Sequence, residues 1–222
     1  MKPAWIVLTV IAGGVAACAL DMPAFRFVDK HIEGHLKDSI PSQIIWGFQD
    51  FSQTIPPLVI AWVVWRLDRR QGRTVVLRLF LAFVAAGAVS GMGKLLVGRH
   101  RPEHFPGQTW RQTWIDAGWA DRHGKQESFF SGHSAAAFSM ATILSAYYPP
   151  LRPVAYTLAA GCAASRIATE QHWTSDVYVG SVMGVVLGWV VLPIPLRRGR
   201  RDKVSGSAEA SRTAGQGLLR MM

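Results

Sequence analysis

Six apolar runs within 222 residues leave few folds open to this chain. A helix needs roughly 20 mostly apolar residues to cross a bilayer, and there its backbone polar groups must be satisfied internally. Pro3 to Leu20 carries no charge. Ser39 to Trp65 is broken only by Asp50, and its later part holds Pro56 and Pro57. Val75 to Gly98 has Arg78 and Lys94 near its two ends, and Ser128 to Leu151 contains no Asp, Glu, Lys or Arg. Pro153 to Ser165 is shorter and stops at Arg166, whereas Val177 to Leu196 is unbroken. One such run would read as a buried helix of a soluble protein. Six predict an all-α, integral-membrane bundle of six transmembrane helices. The expected spans are about 3–20, 45–65, 75–98, 130–150, 152–167 and 176–196. A basic tail, 197–222, is rich in Ser, Gly and Ala and is expected to be disordered.

The formal charge of +10 suggests a nucleic-acid partner until the charges are placed. Lys and Arg crowd the turn Arg66-Leu67-Asp68-Arg69-Arg70-Gln71-Gly72-Arg73 and the stretch Arg197 to Lys203. Cationic loops mark the cytoplasmic side. Alternating spans then put both termini in the cytoplasm and the segments 21–50, 99–127 and 167–176 outside. The outer side holds ten cations against eleven anions, and the inner side fourteen against three. The basicity is thus the topology signal of an inner-membrane protein, and no nucleic acid is expected. A cleaved signal peptide is the alternative for the first run, with Val15-Ala16-Ala17-Cys18 resembling a lipoprotein cleavage box. Cys18 and Cys162 make neither a disulfide framework nor a metal spacing. Val28, Ile32 and Leu36 recur every four residues and suggest a short helix on the membrane surface. Trp110, Trp114 and Trp119 read as interfacial anchors.

Three polar clusters stand at the outer ends of spans, where ionisable residues are costly and point to function. The first is Lys94-Leu95-Leu96-Val97-Gly98-Arg99-His100-Arg101-Pro102. Lys94 and Arg101 are two helical turns apart, so both can face one anion. The second is Ser131-Gly132-His133: Ser131 suits an N-cap, Gly132 permits close backbone approach, and a helix N-terminus offers N–H groups to phosphate. The third runs from Ser165-Arg166 to His172 and Asp176. A carboxylate one turn from a histidine can fix its tautomer and leave the other ring nitrogen nucleophilic. A capping Asp and an unrelated loop His would give the same string.

In this order the clusters K-x6-R-P, S-G-H and S-R-x5-H-x3-D resemble the type-2 phosphatidic acid phosphatase family of integral-membrane lipid phosphate phosphatases. The family usually has Pro before Ser-Gly-His, where this chain has Phe130. The resemblance implies that His172 attacks phosphorus and forms a phosphohistidine. It implies that Asp176 orients His172, and that His133 protonates the leaving oxygen and then activates water. Lys94, Arg101, Arg166, Ser131 and Gly132 would hold the phosphoryl oxygens. Arg99, His100 and His104 fall outside the motif positions and read as head-group contacts or ordinary interfacial residues.

The expected function is hydrolysis of a membrane lipid phosphomonoester or pyrophosphate on the extracytoplasmic side. Candidate substrates are undecaprenyl pyrophosphate, phosphatidylglycerol phosphate, phosphatidic acid and lipid A phosphate. Motif residues grip only the phosphoryl group, so they do not choose among these lipids. The competing readings are a phosphate-binding transporter or channel, and a soluble relative of acid phosphatases or vanadium haloperoxidases. Three cations and a helix N-terminus neutralise phosphoryl charge, and no carboxylate cluster suits Mg²⁺, so no metal and no cofactor is expected. Activity should therefore persist in excess chelator in a phosphate-release assay; loss in chelator with restoration by Mg²⁺ contradicts this.

Overall fold

The structure, a computed structural model, describes residues 3–33, 43–45, 47–48, 51, 55–105, 109–114 and 128–196. Six α-helices of at least 13 residues lie among them. They are α1 (Pro3–Val28), α2 (Ile55–Leu67), α3 (Gly72–Leu96), α4 (Gly132–Tyr147), α5 (Arg152–Ala168) and α6 (Thr174–Val191). No strand occurs among the described residues, only one antiparallel bridge between Arg99 and Trp114. Among the described residues the fold is all-α. The tail 197–222, and residues 46, 49–50 and 52–54 of the second predicted span, lie outside the described residues. The helices belong to one compact unit, Met1–Leu192; Pro193–Met222 is a separate unit, described only as far as Leu196.

Among the described residues three helical segments are long and apolar enough to cross a membrane: Ala4–Ile32, Gly72–Leu96 and Thr174–Val191. The other predicted spans give shorter helices, of 13 residues for α2, 16 for α4 and 17 for α5. At 1.5 Å per residue α4 is about 24 Å long, short of a 30 Å hydrocarbon core. Apolar side chains cover the exterior: Trp5, Leu58, Trp62, Phe80, Leu95 and Trp189 are each 60% or more exposed. A surface of that kind needs lipid as solvent, and the chain is an integral membrane protein.

The first predicted span ended at Leu20, yet α1 runs on to Val28 and continues as a π-turn through Glu33. Asp21 does not end it, because its carboxylate is buried and paired inside the bundle. The separate surface helix expected around Val28 and Ile32 is therefore the end of α1; Leu36 lies outside the described residues.

At the centre is α4, which packs against α3, α5 and α6. Its residues Ser134 to Ala137 and Ser139 to Ser145 are all buried, and most are Ala, Ser or Thr. In lipid, helices associate through small residues that let backbones approach. The partner face on α6 is a glycine row. A methyl at Gly180 would strike the Ser131 carbonyl, one at Gly184 the Ala135 carbonyl, and one at Gly188 would lie 2.7 Å from Thr142 Cβ. The two helices thus lie backbone to backbone. This seam draws the first turn of α6 against the start of α4, where Ser131 N donates to Asp176 O at 3.1 Å. Deeper, Val75, Leu79, Met140, Ile143, Ala159 and Cys162 form the apolar core between α3, α4 and α5. Outside the seam, α1 lies on α6, tied by Tyr178 Oη donating to Val10 O at 3.0 Å.

Candidate active site

His172 sits in the short turn between α5 and α6, 2% exposed. The turn is tight. Gln171 N and His172 N both donate to the Arg166 carbonyl, at 3.1 and 3.2 Å. Glu170 takes the left-handed conformation, φ 53°, that reverses the chain. Trp173 then caps α6, with its own N–H held by Asp176 Oδ2 at 3.2 Å.

The imidazole is oriented by a backbone carbonyl. His172 Nδ1 lies 2.8 Å from Ser128 O. A carbonyl only accepts, so Nδ1 carries the proton and Nε2 keeps its lone pair. Asp176 Oδ2 stands 3.9 Å from the same Nδ1. Its closer partners are Ser128 Oγ at 2.5 Å and, through Oδ1, Arg99 Nη1 at 2.5 Å. The expectation that Asp176 bonds directly to the ring is thus replaced by a geometry in which Ser128 touches both groups. Burial holds the His172 pKa well below the ordinary histidine value, and the charges of Arg166, Arg101 and Lys94 push the same way.

The predicted cations arrive by different routes. Lys94 is in the last turn of α3 and Arg166 in the last turn of α5. Arg101 is not on the helix as expected: α3 stops at Leu96, and Val97 is already extended. Arg101 reaches the site from the segment before a 3₁₀ turn at Pro102–His104. Arg101 Nη1 and Arg166 Nη2 both donate to Gln171 Oε1, at 2.6 and 3.4 Å. Among the described residues Arg101 Nε and Arg166 Nε and Nη1 are buried with no hydrogen-bond partner. Unpaired guanidinium N–H groups are costly unless an anion meets them.

Ser131 caps α4 as expected, its hydroxyl accepting from Ser134 N at 3.3 Å and Ser134 Oγ at 2.9 Å. Gly132 and His133 open the first turn, where free N–H groups point outward. The charges of Arg166, Lys94 and Arg101 reach His133 as well as His172, so one cationic cluster serves both histidines. Phe130, in place of the usual proline, is buried against Ala86, Ala135 and Ala136 beneath the site.

Arg99 is the residue that motif reading misplaced. It is no head-group contact: it is wholly buried. Its Nη2 donates to Asp21 Oδ2 at 2.7 Å, and its Nη1 donates to Asp176 and to Ser175 Oγ at 2.8 Å. Its Nε donates to Thr113 Oγ1 at 3.3 Å. Trp114 and Trp173 flank the guanidinium, with ring centroids 4.4 and 5.3 Å from its central carbon. Asp21 Oδ2 also accepts from Trp110 Nε1 at 3.0 Å. Trp110 and Trp114, read as interfacial anchors, are therefore part of the enclosure of a buried charge; Trp119 lies outside the described residues. Asp21, Arg99, Ser128 and Ser175 were absent from the predicted site. The available signal was an ionisable residue, Asp21, inside an apolar helix, which calls for a partner.

The PAP2 superfamily model matches residues 75–200. Lipid A 1-phosphatase of Porphyromonas gingivalis is 38% identical over 65 residues, which are 28% of this chain and 15% of that protein. Lipid A 1-phosphatase of Rhizobium etli is 29% identical over 114 residues, 51% of this chain and 46% of that protein. The chain spans less than half the length of these two relatives. Its fold is similar to that of Aquifex aeolicus LpxE, with a TM-score of 0.60 and 20% identity, covering 78% of this chain and 94% of that one. It is also similar to the first transmembrane PAP2 type phosphatidylglycerolphosphate phosphatase from Bacillus subtilis, with a TM-score of 0.57 and 17% identity, covering 87% and 98%.

A depressed histidine pKa means that the proton leaves at lower pH, so His172 stays neutral where an ordinary histidine charges. In an NMR titration of labelled histidine the His172 ring should remain neutral at about pH 6, below the ordinary value near 6.5. A midpoint at or above that value contradicts the environment described.

Proposed function

The chain belongs to the PAP2 superfamily, and we propose that it is a membrane lipid phosphatase working through a phosphohistidine on His172. One observation carries the reading. A buried imidazole, its pKa held well below the ordinary value and its Nδ1 engaged by a carbonyl, stands in the same cationic cluster as guanidinium N–H groups that lack hydrogen-bond partners among the described residues. Phosphoryl transfer needs little else: in-line positioning and neutralisation of charge on the equatorial oxygens.

In the first step His172 Nε2 bonds to phosphorus, and the bond from phosphorus to the lipid oxygen breaks. His133 gives that oxygen its proton. In the second step His133 takes a proton from water, the water oxygen bonds to phosphorus, and the P–N bond breaks to release phosphate. Arg166, Arg101 and Lys94 hold the phosphoryl oxygens through both steps, with Gly132 N–H and the Ser131 O–H at the head of α4. Asp176 stabilises the cationic ring from 3.9 Å.

All six helices would cross the inner membrane, with both termini in the cytoplasm and the site on the extracytoplasmic side. The shorter helices α2, α4 and α5 then span only with added turns or a locally thinned bilayer. Lipid A bearing a 1-phosphate is the favoured substrate, on the names of the two relatives. Phosphatidylglycerol phosphate is next, on that of a structural neighbour.

The test is phosphate release from a panel of lipid A 1-phosphate, phosphatidylglycerol phosphate, phosphatidic acid and undecaprenyl pyrophosphate in mixed micelles. Wild type should release phosphate from at least one lipid. Loss of an acid–base group typically costs about 10²–10⁴-fold, so His133→Ala should fall by that much, less with a nitrophenyl leaving group. His172→Ala should fall further; full activity in that variant sinks the assignment.

A further inference from the structure

Among the described residues Asp21, Arg99 and Asp176 are the most deeply buried ionisable side chains, at 1%, 0% and 0% exposure. Charges so placed must be paired, because removing them from water is expensive. The pairing here is not one to one. A single guanidinium meets two carboxylates, Asp21 Oδ2 at 2.7 Å and Asp176 Oδ1 at 2.5 Å. By formal count the triad sets two carboxylates against one guanidinium inside the bundle.

That surplus has a use at His172. Arg99 and Asp176 alone would form a neutral pair, and a neutral pair offers no counter-charge to an imidazole made cationic by phosphorylation. The second carboxylate, from α1, restores it. Arg99 also divides the Asp176 carboxylate, holding Oδ1 and leaving Oδ2 toward Ser128 Oγ and His172 Nδ1. Asp21 is fixed in turn by Ser175 N at 2.8 Å and Ser175 Oγ at 2.7 Å in the first turn of α6. The cations facing His172 from the other elements are Lys94, Arg101 and Arg166, and Glu103 stands 3.9 Å from Arg101.

Building on the phosphohistidine reading, we infer that Asp21 and Arg99 are positioning residues of the phosphoryl transfer: Arg99 aims Asp176 at His172, and Asp21 returns the negative charge that Arg99 cancels. The removal of Asp21 is then felt as a lost counter-charge and not only as a lost contact.

The experiment measures kcat and KM for full-length wild type, Asp21→Asn and the double variant Asp21→Asn/Arg99→Gln, on a lipid phosphate that wild type hydrolyses. Asparagine keeps an oxygen for Ser175, and Arg99 stays paired with Asp176. Supporting residues around a reactive site typically cost 10–100-fold when changed, so Asp21→Asn should lower kcat by about that factor, with KM held within about threefold. In the double variant Asp176 is again an uncancelled carboxylate, so kcat should rise at least about fivefold over the single variant, a coupling of opposite sign to added damage. A double variant no faster than Asp21→Asn overturns the inference. So does wild-type kcat in Asp21→Asn, or an effect confined to KM. If Asp21→Asn is obtained only unfolded, by size exclusion in detergent, the double variant is compared with wild type instead. A kcat within about tenfold of wild type then supports the inference, and a larger loss overturns it. Failure of the phosphatase reading looks different: wild type itself releases no phosphate, or His172→Ala releases as much, and both claims fall together.

Discussion

A guanidinium with no exposure to solvent stays in an apolar bundle only if carboxylates meet it there. Arg99 meets two, 78 residues before it on α1 and 77 residues after it on α6. That bond pattern decides which helix ends come together. It draws α1 to the site although α1 carries no motif residue. It fixes the segment after α3, whose backbone pairs with Ser128 and Thr113 through Arg99 O and His100 N. It also sets the direction of the Asp176 carboxylate. Pulling one charge out of such a cluster strands the others, which typically costs about 3–5 kcal/mol. The site and the fold are therefore held by one interaction.

The second determinant is close packing between small residues. The glycine row on α6 meets carbonyls and small side chains of α4, and nothing larger than hydrogen fits at Gly180 or Gly184 without a shift. In water, burial of apolar surface would draw these helices together. In lipid that drive is absent, so contact between backbones has to do the same work. The consequence is local and chemical: Ser131, at the head of α4, comes within hydrogen-bonding distance of the Asp176 backbone. Ser131 and Asp176, 45 residues apart in the chain, come to one site for this reason.

Much of this was legible from apolar periodicity and from spacing. The runs 75–98, 130–150 and 152–167 each overlap one long helix, and the charges of Lys94, Arg101 and Arg166 all reach His172 and His133. What escaped was long-range and carried no spacing. Asp21 closes an uncharged run and so looks like the polar edge of a span. Its partner lies 78 residues on, in a segment whose neighbours Lys94 and Arg101 took the motif reading. Arg101 was placed on a helix because seven residues make two turns; Val97, in extended conformation, shows the helix already finished. The tryptophans of the outer segment were read by their usual place at interfaces. Trp110 and Trp114 also contact Asp21 and Arg99, a buried ion pair that only the assembled bundle creates.

The proposed mechanism passes phosphorus through a covalent bond to His172. The most direct measurement mixes wild-type protein with its lipid substrate carrying labelled phosphate, quenches within milliseconds under alkaline conditions, and maps the label by mass spectrometry. Label is expected on residue 172 alone, stable in alkali, lost in acid, and discharged by water on longer incubation. Label on Ser131 or His133, or substrate turnover with no label on the protein at any time, would contradict it.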